Sequence, residues 1–119
     1  MSDTTTSYKT LTRTISGNLG ALRRDLPTVM KAFGDLAREA SAEGALDVKT
    51  KELIALALGV AARCDGCIGF HTQALVRLGV TREEFEEVLG MAVYMGGGPS
   101  LMYSANAMAA YDEMATATA

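Results

Sequence analysis

Ten consecutive residues, Leu53 to Ala62, carry neither a charge nor a hydrogen-bonding side chain. That run is half the roughly 20 residues needed to cross a bilayer, so it reads as a buried element. Asp47 is a good N-cap just upstream, which predicts a helix over about 48–63 whose middle is apolar on every side. Such a helix must be covered all round, by other helices or by another subunit. The chain is therefore organised around one central helix.

The rest of the chain reads as helices around it. Leu11, Ile15, Leu19, Leu22 and Leu26 recur at intervals of three and four up to Pro27, giving one apolar stripe. Pro27 suits a first helical turn and predicts a second helix that turns Val29, Met30, Phe33, Leu36 and Ala37 inward and stops near Gly44. A fourth helix spans about Asp65 to Leu78, with Gly79 as its C′ residue. Thr81 and Glu84 form a capping box for a fifth, with Val88, Leu89, Ala92, Val93 and Met95 as its inner face. Gly96-Gly97-Gly98 breaks that helix, and Pro99 opens a sixth. The predicted fold is an all-α bundle of about six helices in one domain over 1–119. Residues 1–8 are Ser/Thr-rich and 115–119 an Ala/Thr tail, so both ends are expected to fray.

Charge narrows the function. With 11 basic and 14 acidic residues, net −3, and no clustered basic surface, nucleic-acid binding is not expected. No signal-peptide pattern and no membrane span are evident, so a soluble cytoplasmic protein is expected.

The chemistry is concentrated at Cys64, Cys67 and His71. Two cysteines only three positions apart cannot staple a fold, because the loop they close is too small to constrain the unfolded chain. In a reducing compartment such a pair is redox-active, redox-sensing or metal-binding. Spacings of three and four put all three side chains on one helix face. Cys67 then lies in the first turn, where free N–H groups and the helix dipole favour a thiolate, and His71 follows one turn later. Glu52 opens the central helix about 18 Å from Cys64 along a continuous helix. If the next helix folds back antiparallel, a Glu52–water–His71–Cys relay becomes possible. A zinc site of Cys64, Cys67, His71 and Glu52 is the metal alternative, although one helix face crowds three ligands together.

The stretch Lys51-Glu52-Leu53-Ile54, followed by Cys64-x-x-Cys67-x-x-x-His71 and Gly79-Val80-Thr81-x-x-Glu84, resembles the alkylhydroperoxidase D–like, or carboxymuconolactone decarboxylase, superfamily. Gly96-Gly97-Gly98-Pro99 resembles its later segment, and the likeness covers about residues 26–114. It implies an all-α fold with a core helical hairpin carrying the CxxC, assembled as a homotrimer or homohexamer. In the peroxidase branch the pair reduces hydroperoxides without a cofactor and is re-reduced by a dithiol or thioredoxin-like partner. Carried over, Cys67 is the attacking thiol, Cys64 the resolving one, and His71 with Glu52 the proton relay. The decarboxylase branch, which acts on a lactone, typically lacks the cysteine pair, so the resemblance does not imply lactone chemistry. Gly66 departs from the larger polar residue that some members carry before the second cysteine. The alternative is a homo-oligomeric module that senses redox state, or binds metal, without turnover.

Overall fold

The computed structural model describes residues 7–117, and these form six α-helices with no strand among them. They are α1 (Tyr8–Asp25), α2 (Pro27–Ser41), α3 (Val48–Ala61), α4 (Asp65–Arg77), α5 (Arg82–Gly96) and α6 (Gly98–Ala117). The predicted punctuation explains most boundaries. Asp47 accepts the Thr50 N–H at 2.7 Å to cap α3, and the Thr81–Glu84 capping box starts α5.

α3 and α4 are antiparallel neighbours. Gly59 near the end of α3 lies beside Cys67 at the start of α4, while Glu52 near the start of α3 meets His71 further along α4. α4 also packs on α1 and α6, and α3 on α2, α5 and α6. The core lies where these meet. Leu56, Val60, Ile68, Leu75 and Phe85 are fully enclosed, and burying each such side chain contributes about 1.5–3 kcal/mol. Phe85 stacks at a tilt on Tyr111 of α6, with ring centroids 5.0 Å apart.

The turn from α3 to α4 delivers the cysteines. Arg63 donates its N–H to Val60 O, and Cys64 donates its own to Gly59 O, which is the Schellman closure of a helix. The same pair of bonds closes α4, from Gly79 to Val76 O and from Val80 to Leu75 O. Gly79 adopts the required left-handed φ of 81° at no steric cost, but at the equivalent place Arg63 holds φ 57°. An arginine in that region is strained by about 1–2 kcal/mol.

Four expectations need correction. No residue of α2 is buried: Val29, Phe33 and Leu36 are 59%, 66% and 62% exposed. A periodic stripe reveals that a helix has two faces, not which face its own chain covers. α2 also ends at Ser41 and not near Gly44, because Lys51 Nζ takes the carbonyls of Ala40 and Ala42 as the chain turns extended. On α5 Leu89 and Ala92 are buried as expected and Phe85 joins them, whereas Met95 is exposed. The fraying expected of residues 1–8 does not hold at residues 7 and 8: Ser7 caps α1 and Tyr8 is buried. Likewise 115–117 continue α6, and the remaining end positions, 1–6 and 118–119, lie outside the described residues.

α3 is only partly covered. Leu56, Gly59 and Val60 are enclosed, but Ile54 and Leu58 stay exposed. Among the described residues no helix is long and apolar enough to cross a membrane.

Candidate active site

Cys64 is the N-cap of α4 and Cys67 lies in its first turn. Their sulfurs are joined as a disulfide, with Cα atoms 5.2 Å apart. Cys64 Sγ accepts the Cys67 N–H at 3.1 Å, so the sulfur occupies the place a Ser or Asp oxygen takes in an ordinary cap. A thiolate there gains both that hydrogen bond and the positive end of the helix dipole. The sequence reading assigned this benefit to Cys67, but the backbone donor serves Cys64.

Close helix approach holds the pair. A β-carbon on Gly59 would sit 3.0 Å from Cys67 Cβ, so glycine lets α4 lie against the backbone of α3. At Gly66 a β-carbon would meet Ile15 Cδ1, the flexible tip of an α1 side chain, at 2.9 Å.

His71 follows Cys67 by one turn on the same face, which places their β-carbons about 5–6 Å apart. Its Nδ1 lies 2.6 Å from Glu52 Oε1, so no water intervenes between the two, contrary to the relay drawn from helix rise alone. The antiparallel return of α4 brings the residues closer than a rise per residue can show. A proton on Nδ1 would let this bond run from His71 to the carboxylate and leave Nε2 free to take or deliver one. The Glu52 side chain is 14% exposed and that of His71 36%, which fixes the carboxylate while the ring reaches a cavity.

That cavity, about 350 Å³, lies between α2, α3 and α4. Ala37, Ala40, Ile54, Ala55 and Leu58 make it largely apolar, with Glu52 and His71 among its polar groups. Lys51, whose bonds end α2, also lines it. Among the described residues, no three His, Cys, Asp or Glu side chains converge as metal ligands would.

Three contributors escaped the sequence reading. Asp65, between the cysteines, accepts a 2.6 Å hydrogen bond from the Tyr8 hydroxyl. Glu113 of α6 receives the Ser7 hydroxyl and the N–H groups of Tyr8 and Lys9. It thereby supplies the acidic first-turn group that α1 lacks. Tyr8 sits in a Ser/Thr-rich end that looks unstructured, and Glu113 is 105 residues away in sequence from its Tyr8 partner, so no local signal announces either.

The chain is similar to several known proteins. The family model for the carboxymuconolactone decarboxylase family matches residues 27–110. An uncharacterized protein of Cupriavidus necator is 42% identical over 92% of this chain and 97% of its own. Uncharacterized protein 4 in the cox locus of Paracoccus denitrificans is 34% identical over 83% and 89%. The crystal structure of an apo carboxymuconolactone decarboxylase family protein from Legionella pneumophila superposes with a TM-score of 0.89 at 56% identity, covering 91% of this chain and 96% of that one. A Thermotoga maritima family member, for which a role in the antioxidative response is suggested, matches with a TM-score of 0.69 at 32% identity over 82% and 89%. By sequence and fold alike, the chain belongs to the carboxymuconolactone decarboxylase family, within the alkylhydroperoxidase D–like superfamily.

Proposed function

We propose that the protein is a cytoplasmic thiol-dependent peroxidase that reduces hydroperoxides through the Cys64–Cys67 dithiol. The observation that carries this reading is the disulfide at the start of α4, one turn from a histidine whose Nδ1 is held by a carboxylate. His71 Nε2 takes the Cys67 proton, and the Cys67 thiolate attacks the terminal peroxide oxygen. The O–O bond breaks, the alcohol leaves with a proton, and Cys67 becomes a sulfenic acid. Cys64, whose thiolate the Cys67 N–H and the α4 N-terminus favour, releases its proton and attacks that sulfur, and the hydroxide leaves as water by taking up that proton. Two thiols and one hydroperoxide yield one disulfide, one alcohol and one water. A dithiol or thioredoxin-like partner returns the pair to its reduced form. The Thermotoga relative's suggested antioxidative role supports this branch of the family over lactone decarboxylation.

We also propose that the working form is a homo-oligomer, a trimer or hexamer. The exposed Val29, Phe33 and Leu36 on α2, with Ile54 and Leu58 on α3, give a second copy an apolar surface to cover. Sustained turnover of an organic hydroperoxide with a dithiol reductant tests the enzyme reading. One oxidation followed by arrest would instead mark a redox sensor.

A further inference from the structure

Asp65 sits beside Cys64 and two residues before Cys67, in the first turn of α4. A carboxylate there favours the helix, but its charge opposes a thiolate on either neighbour. We propose that Tyr8 is a positioning residue for the cysteine pair, its phenol drawing the Asp65 carboxylate toward α1 and so keeping the thiols acidic. This rests on the dithiol reading above.

The 2.6 Å separation of Tyr8 Oη from Asp65 Oδ1 is that of a charge-assisted bond, which disperses the carboxylate's charge and fixes its direction. Tyr8 is itself held from several sides. Its N–H donates to Glu113 Oε1 at 2.6 Å, and its carbonyl accepts the Thr12 hydroxyl at 2.9 Å. Its ring is buried at 3% exposure, close to Gly69, where a β-carbon would come 3.3 Å from Tyr8 Cδ1. Burial and then the bond to Asp65 push the phenol well above its ordinary range, so it stays a donor wherever the thiols titrate. The other charged or titratable groups around this end of α4 are His71 on the helix itself, Arg63 in the preceding turn and Glu52 from α3. Lys9 joins them from α1, with Tyr103 and Glu113 from α6.

The experiment is the pH profile of alkylation of each cysteine in the fully reduced protein, read by mass spectrometry, with circular dichroism restricting each point to folded material. Tyr8→Phe keeps the ring and removes only the hydroxyl. It is expected to raise the thiol pKa by about half to one unit and slow alkylation at neutral pH roughly three- to tenfold. Asp65→Asn is expected to shift the profile the other way, and Tyr8→Phe added to Asp65→Asn to shift it no further. A wild-type profile in Tyr8→Phe would overturn the proposal, as would a Tyr8→Phe shift that persists without the Asp65 charge. Alkylation needs no hydroperoxide, so a protein that shows these shifts yet consumes no peroxide would count against the peroxidase reading alone.

Discussion

Glu52 and His71, nineteen residues apart, meet across the α3–α4 hairpin with Oε1 and Nδ1 2.6 Å from each other. The contact holds the ring in place, and on the proposed mechanism Glu52 would act on the sulfurs only through His71. Replacing His71 by Ala is expected to slow the oxidation of the reduced pair by hydroperoxide on the order of a hundredfold, and Glu52→Gln on the order of tenfold. The double variant should be no slower than His71→Ala, because both changes disable one device. Single-turnover kinetics of thiol loss read all three.

Glu113 is a cap supplied from the far end of the chain. Burial alone would raise its carboxyl, but the hydrogen bonds from Ser7, Tyr8 and Lys9 outweigh burial and hold it below its usual range. A depressed folded-state pKa gives stability that is present above the unfolded value and lost as pH falls through the folded one. Glu113→Gln should therefore cost about 1–2 kcal/mol at neutral pH. That gap should narrow on acidification below about pH 4. Denaturant melts of both proteins across that range measure it.

Arg63 and Gly79 occupy the same place in two Schellman turns, and only one of them is glycine. Arg63→Gly should relieve the strained backbone and stabilise the fold by about 0.5–1 kcal/mol after glycine's entropy is charged against it. Thermal unfolding would then shift upward by roughly 2–5 °C. Gly79→Ala should move it downward by a similar amount, since a β-carbon at a φ of 81° is strained.

The outward face of α2 is predicted to be an interface. Phe33→Ser with Leu36→Ser should lower the mass found by light scattering to that of a single chain, while leaving helicity by circular dichroism unchanged. Neither side chain belongs to the core of its own subunit. An unchanged mass would move the interface elsewhere.

The parts of this molecule that depend on local rules were legible in its residues. Asp47, the Thr81–Glu84 box and Gly79 mark helix ends by short-range hydrogen bonding, and the cysteine and histidine spacing defines one face of α4. The Glu52–His71 pairing was legible as a direction of approach but not as contact, because rise per residue does not give the separation between neighbouring helices. The side of α2 that faces outward was not legible, since periodicity is blind to which surface another element covers. Tyr8 and Glu113 were not legible either. Each is an ordinary residue locally and gains its role only when α1 and α6 are brought together.

The central claim is that the Cys64–Cys67 pair itself reduces hydroperoxide. The most direct measurement is intact-mass and peptide mapping of the reduced protein mixed with one equivalent of an organic hydroperoxide. The expected result is stoichiometric alcohol and a Cys64–Cys67 disulfide that a dithiol reopens for another cycle, with Cys64→Ser halting at a Cys67 sulfenic acid. Peroxide left unconsumed while both cysteines remain as free thiols would contradict it.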